Sequence, residues 1–327
     1  MRAKVHSSTK VSKRRVCVTG SAWLLALTLM VTWLPNAYSQ AINASPPVAY
    51  IATSGNAVLD KRISDLISSH LQSNVELQTL SENQLRLLKN EPVIAIGPRA
   101  FARVREGNRT AAVLAVLVEG QFINAYADKS DGRITGVLYD VPLLRQALTG
   151  KAILPQATKV AMLASPEHAE SYKELVDLLP DYDLEGQVFV ASSKDQLIPT
   201  LVRALSYGDF LLGGNDEDIF NPRNIKHILL TAYRRNKILI GPNQAYVKAG
   251  AMASSYAPFH AMANTAAYYL ETYLQTGKFP APGYPDSFSV EVNQQVARSL
   301  NIPLPDREWI ANAVDELLQQ SAREPAK

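Results

Sequence analysis

Along the chain, short apolar runs alternate with longer segments whose apolar residues recur at helical spacing, about every three to four positions. Val48 to Ala52 is such a run, and Val58, Ile63, Leu66, Ile67 and Leu71 after it share one helical face. Val75 to Leu80 alternates as a strand would, and Pro92 to Ile96 reads as a buried strand stopped by Gly97-Pro98. A short helix over Ala100 to Arg105, a strand over Ala111 to Val118 and another over Ile134 to Tyr139 complete this half.

The alternation restarts at Lys159. Strands are predicted at Val160 to Ala164, Gln187 to Ala191, Asp209 to Leu212 and Ile238 to Ile240. Helices are predicted at Glu167 to Leu179 and Lys194 to Leu205. A further helix is opened by Asn221-Pro222 and carries Ile225, Ile228, Leu229, Ala232 and Tyr233 on its apolar face. A long helix over Ala261 to Gln275 ends at Gly277, and a strand over Phe288 to Val292 and a helix over Asp306 to Gln320 close the chain.

Repeated strand–helix alternation predicts parallel sheets covered on both faces. Two such runs, joined near Leu154-Pro155, predict an α/β protein of two Rossmann-like lobes joined by a multi-strand hinge. Residues 46–157 with 258–280 form the first lobe, residues 158–257 with 281–320 the second, and residues 321–327 a flexible tail. The closing elements are expected to cross back between the lobes.

Composition changes this picture at the amino terminus. The formal charge is +3, yet all six basic residues before position 41 lie in a segment without acids. Without them, 27 basic residues face 30 acidic ones, a mildly acidic body that argues against general nucleic-acid binding. Lys13-Arg14-Arg15, the apolar run Val16 to Leu34, and Ala37-Tyr-Ser39 have the three parts of a secretory signal over residues 1–39. Cleavage after Ser39 is expected, with Ala41 the alternative site and an uncleaved membrane anchor the alternative fate. The single cysteine, Cys17, lies inside this segment, so the exported body has neither disulfide nor thiolate chemistry. These features point to a periplasmic protein.

In an open parallel sheet, ligands bind beyond the carboxyl ends of the strands. The candidate ligand-binding residues are therefore Thr53, Ser54, Gly97, Arg99 and Glu119 in the first half, with Ser165, Asn215, Asp216, Asn243, Tyr246 and Tyr256 in the second. Each has a plainer alternative. Gly-Pro turns are ordinary punctuation, Arg99 can be a solvated charge as well as an anion partner, and the tyrosines can be core. Gly213 to Asp218 spaces its acids like an ion-binding loop but lacks the glycine and glutamate such a loop needs, so a loop-and-cap role is favoured. The scattered His70, His168, His227 and His260 suggest no metal site. With no nucleophile–base motif in view, no enzyme activity and no cofactor are expected.

Ile238-Leu-Ile-Gly241, Tyr246-Val-Lys-Ala-Gly-Ala251 and Tyr256-Ala-Pro258 are followed by Thr276-Gly-Lys-Phe-Pro280, Phe288-Ser-Val-Glu-Val-Asn293 and Val296-Ala-Arg-Ser-Leu300. Together with Ala95-Ile-Gly97, Asp209-Phe-Leu-Leu212 and Leu229-Leu-Thr-Ala-Tyr-Arg234, they make residues 46 to about 310 resemble one family. It is the ABC-transporter substrate-binding family of the type I periplasmic-binding-protein fold, which includes binding proteins for aromatic amino acids. The resemblance implies capture of a small solute by hinge closure and delivery to an ABC permease. An amino acid, a small carboxylate or a flat organic solute would be the ligand, and a monomer the working form. A sensory accessory protein, signalling to a membrane receptor, kinase or cyclase, is the alternative the same clamp allows. No lipoprotein cysteine precedes the body, so the protein would be free in the periplasm.

Overall fold

The computed structural model describes residues 46–323; the secretory signal expected over residues 1–39 lies outside them. Two sheets organise the chain. The first contains β1 (Val48–Ala52), β2 (Glu76–Thr79), β3 (Pro92–Ile96), β4 (Ala112–Val118) and β5 (Ile134–Leu138), in the order β2-β1-β3-β4-β5, all parallel. Side chains alternate across it. Ile94, Ile96, Leu114 and Val116 pack on α1 (Ala57–His70) and on a long helix from late in the chain, while Val93, Ala95, Val113 and Ala115 pack on α3 (Pro98–Gly107) and α4 (Gly120–Ala127). Burial on both faces is why these strands read as unbroken apolar runs. A short α2 (Glu82–Leu87) links β2 to β3 behind a reciprocal cap between Ser81 and Gln84.

The second sheet contains β6 (Lys159–Ala164), β7 (Glu185–Val190), β8 (Phe210–Leu212), β9 (Ile238–Ile240), β10 (Ala253–Tyr256) and β11 (Ser289–Val292), in the order β11-β10-β9-β8-β6-β7. Only β11 runs antiparallel, against β10. On one face Val160, Met162, Phe210, Leu212 and Ile240 meet α5 (Leu143–Ile153). On the other, Ala161, Leu163, Leu211 and Leu239 meet α7 (Lys194–Tyr207) and α8 (Ile225–Arg234). Between β6 and β7 the expected helix is broken into a 3-10 turn, α6 (Lys173–Leu178) and a second 3-10 turn. After β9 come α9 (Gln244–Ala249), then β10 and α10 (Phe259–Thr276), and after β11 come α11 (Gln294–Ser299) and α12 (Arg307–Arg323).

The chain crosses between the lobes at residues 139–142, at Ala257-Pro258 and again over 281–288. Helix α10 packs on the first sheet, and β11 and α12 belong to the second. The placement of α5 corrects the lobe boundary. Residues 143–153 were expected in the first lobe, but Ala147, Leu148, Ala152 and Ile153 are buried against the second sheet. Gly150 lets this helix approach the Phe210 ring, for a Cβ there would stand 2.5 Å from the ring edge. Residues 321–323, expected in the tail, continue α12, and residues 324–327 lie outside the described residues.

Two local expectations shift as well. Val58 does not join the apolar face of α1; it is 80% exposed in the first turn, and Ile63 and Ile67 carry the burial. Asn221 caps a turn rather than the helix, its side-chain oxygen accepting the N–H groups of Arg223 and Asn224, and α8 starts one turn later. Among the described residues no helix is long and apolar enough to cross a membrane.

Candidate functional site

Between the carboxyl ends of the two sheets lies a cleft of about 720 Å³, within the range of small-molecule sites. The first lobe contributes Leu117, Glu119 and Gln121 after β4, and Tyr139 and Asp140 after β5. The second contributes His168 after β6, Gly214 to Phe220 after β8, and Pro242 to Tyr246 after β9. Tyr256, Ala257 and Phe259, at the middle crossing, form the back wall.

Leu117 shows how the sequence shapes this wall. Its φ of 59° lies in the left-handed region, and the β4–β5 register shifts between Val116 and Val118. A β-bulge inserts one residue and re-aims the chain. Here it turns Leu117 to the cleft and returns Val118 to the core. Strain of this kind gathers at functional sites.

The termination of β9 has an equally local cause. Gly241 N–H still bonds Ala253 carbonyl at 2.8 Å, but Pro242 turns the chain away and has no N–H to give. The next ladder positions on β10 would be orphaned. Gln146, 1% exposed on α5, fills them: its Oε1 accepts Ser255 N–H at 2.8 Å and its Nε2 donates to Ser255 carbonyl at 2.9 Å. The same Nε2 also lies 3.3 Å from Pro242 carbonyl and 3.2 Å from Ser254 Oγ. Thr149 Oγ1 adds a 2.6 Å bond to Ser255 Oγ. One side chain thus takes the place of a strand residue and fixes both Pro242 and Ser255 at the cleft wall.

Acidic groups dominate the electrostatics. Glu119 accepts a 2.8 Å bond from the Tyr139 hydroxyl. Burial raises the Tyr139 pKa well above its usual value, and the Glu119 bond and the charges of Glu119, Asp140 and Glu217 add to it. Glu217 belongs to the opposite lobe, so its field spans the cleft. Burial also raises the Asp140 carboxyl, against weak help from Gly120 N–H at 3.3 Å and Tyr284 hydroxyl at 3.4 Å. Tyr284 is pushed up to about 12, first by burial and then by Asp140. Tyr246 is raised by burial and Glu217, while its hydroxyl donates to Phe220 carbonyl at 2.6 Å.

Of the residues expected at the site, Glu119, Asn215, Asn243, Tyr246 and Tyr256 line the cleft. Asn243 also caps α9. Ser165 and Asp216 lie buried behind the wall instead. The Asp216 carboxylate accepts the N–H of Ser165 at 2.6 Å and that of Asp218 at 3.1 Å, tying the β6 loop to the β8 loop. Thr53, Ser54, Gly97 and Arg99 do not line the cleft. Thr53 faces separate hollows beside α1 and α3, Ser54 N–H is held by Asp60 at 2.8 Å, and Arg99 is exposed. His168, Asp216 and Asp218 bring ligand-type atoms within 4.8 Å of one another, the grouping best placed for a metal among the described residues. Asp216 already serves backbone N–H groups and His168 Nδ1 already meets Ser165 Oγ at 2.9 Å, an arrangement of internal ties.

Leu117, Tyr139, Asp140, Glu217, Phe220 and Phe259 also line the cleft but were not expected there. Tyr139-Asp140 did carry a signal: it ends an apolar strand just before Pro142, as the other candidate loops end theirs. Leu117 carried none, since a leucine inside an apolar run gives no sign of a bulge.

No family model and no curated protein sequence matches the chain. Solved structures do. The ligand-free, open form of a substrate binding protein with adhesive properties from Clostridium difficile is similar at a TM-score of 0.62 with 12% identity, over 80% of this chain and 97% of that one. The ABC domain in complex with L-Trp from Streptococcus pneumonia is similar at 0.51 with 15% identity, over the same shares. A conserved domain protein from Vibrio cholerae is similar at 0.51 with 16% identity, again over 80% and 97%. The shared feature is the fold: two α/β lobes of the type I periplasmic-binding-protein kind.

Proposed function

We propose that this protein is an exported solute-binding protein. It captures a small organic molecule between its lobes by hinge closure and delivers it to an ABC-type permease. The observation that carries the reading is the cleft itself. It is lined from the strand ends of both sheets and backed by one of the crossing segments, so a ligand there touches both lobes. A ligand that gains contacts with both halves favours the closed state by that difference in affinity. The site performs no chemical step; its residues bind and orient.

Glu119, Asn215, Asn243, Tyr246 and Tyr256 contact the solute. Thr53, Ser54, Gly97 and Arg99 reach it only on closure, and Ser165 and Asp216 brace the wall. Residues 1–39 direct export and are removed, leaving a monomer free in the periplasm.

The reading is tested by screening metabolites for thermal stabilisation and following the radius of gyration by small-angle scattering. A true ligand at 100 times its Kd stabilises by about 2.7 kcal/mol, and the particle contracts as the lobes close. Stabilisation without contraction, or turnover of the compound, contradicts the proposal. Fractionation of cells expressing the full chain, followed by amino-terminal sequencing, tests export; a cytoplasmic product starting at Met1 contradicts it.

A further inference from the structure

The charges around the cleft are one-sided. Glu119 and Asp140 stand on the first lobe and Glu217 and Asp218 on the second, and no lysine or arginine is among the lining residues. The body as a whole is nearly balanced, with 27 basic residues against 30 acidic ones after position 41, so the bias belongs to the cleft and not to the composition. The carboxylates are not neutralised locally. Among the described residues, no ion pair involves Glu119, Asp140, Glu217 or Asp218. Their surroundings are aromatic: Tyr139, Tyr246, Tyr256, Phe220 and Phe259 line the same space. The Tyr172 hydroxyl, on a side chain 1% exposed, has no hydrogen bond and lies against Gly214 in the cleft wall.

Resting on the reading that this cleft takes a solute, we propose that the solute is an organic cation, an amine or quaternary ammonium with an apolar or aromatic body. Rings present negative faces to a cation and carboxylates give it charge-assisted hydrogen bonds. A carboxylate ligand would enter a field of its own sign with no guanidinium or ammonium to receive it. The same charges make the cation a latch. Closure brings Glu119 and Asp140 toward Glu217 and Asp218, and like charges resist that approach until a cation stands between them. The charge of Glu217 is already felt at Tyr139 across the opening. Empty, the cleft is held apart by its own carboxylates; filled, it is drawn together by them.

The test compares ligands that share a ring and differ in charge. The protein is purified from cells expressing the full chain, treated with EDTA, and its thermal unfolding followed with 2-phenylethylamine, phenylalanine and phenylacetate. Putrescine, choline, D-ribose and calcium chloride are further arms. At least one of phenylethylamine, putrescine and choline is expected to raise Tm, more than phenylalanine and far more than phenylacetate. Titration of that compound against E217Q and D140N is expected to show Kd weakened about tenfold or more, the loss of one charged hydrogen bond. Circular dichroism confirms that the variants are folded. Stabilisation by phenylacetate, phenylalanine or ribose without a response to any organic cation overturns the charge assignment and leaves solute binding standing. A response to calcium alone overturns the organic cation in favour of a metal at His168, Asp216 and Asp218. No response to any compound overturns both.

Discussion

Gln146 is a demanding test of how the cleft wall is held. Replacing it by leucine keeps the volume and removes both halves of its amide. Ser255 N–H then loses its partner at 2.8 Å in a place where water cannot reach, while the Ser255 carbonyl loses the 2.9 Å bond and keeps the one from Ser254 Oγ at 3.0 Å. A buried backbone group left unsatisfied costs about 1–3 kcal/mol. One such group and one weakened carbonyl, set against the modest gain from a more apolar side chain, give a loss of about 2 kcal/mol. For a body of this size each kcal/mol moves Tm by about 2–4 °C, so scanning calorimetry should show a fall of about 4–8 °C. Q146E separates the two bonds. A carboxylate still accepts from Ser255 N–H but faces the Ser255 and Pro242 carbonyls without a proton to give. Its folded pKa is therefore raised above the unfolded value. The penalty is absent below the unfolded pKa, grows as pH rises, and is complete above the folded one. Q146E should recover stability on acidification, because the protonated acid can donate; Q146L should not. A leucine variant melting within about 2 °C of the parent would refute the claim that this amide substitutes for a strand.

Other perturbations have equally direct readouts. Asp140 has a raised pKa from burial, so it costs stability as pH rises past its unfolded value; D140N should raise Tm at neutral pH, with the gain vanishing once both forms are protonated. Y172F removes an unpartnered buried hydroxyl and should stabilise by about 1 kcal/mol. G214A, whose new methyl would collide with that hydroxyl, should destabilise in calorimetry and be partly rescued by Y172F. At Leu117, glycine accepts the left-handed backbone and valine does not, so chemical denaturation should rank L117V below L117G by about 1–2 kcal/mol, despite the larger side chain.

The sequence pattern exposed the elements that bury apolar surface on both sides. The runs at 92–96 and 112–118 have no polar alternative to a central parallel strand, and nearly every residue in them is buried. It was silent where structure comes from partners and not from propensity. β10 is Ala-Ser-Ser-Tyr, a sequence with little to mark it as a strand. It becomes one because β9 and β11 flank it and Gln146 completes its bonding. Helix α4 begins at Gly120, directly after Glu119, so its first turn reads as a polar loop. Helix α5 carries Thr149 and Gly150 amid its apolar residues, and reads as a linker until Phe210 is seen to need that glycine.

The two Gly-Pro turns look alike in sequence and sit differently in space. Gly241-Pro242 ends a strand whose neighbour β10 leads into a crossing, so the turn stands at the hinge wall and Pro242 lines the cleft. Gly97-Pro98 ends β3, which lies two strands from β5 in the order β2-β1-β3-β4-β5. Gly283 pairs along β5, and the crossing at 139–142 leaves directly from β5, so the second lobe is tethered at that edge. At about 4.8 Å per strand, β3 stands about 10 Å and β1 about 14 Å from the tether. In the first sheet, distance from the hinge therefore decides which strand ends face the opposite lobe in this state. That quantity depends on strand order, which local pattern does not encode. It also explains why Tyr139 and Asp140 line the cleft while Thr53 and Arg99 stand back from it.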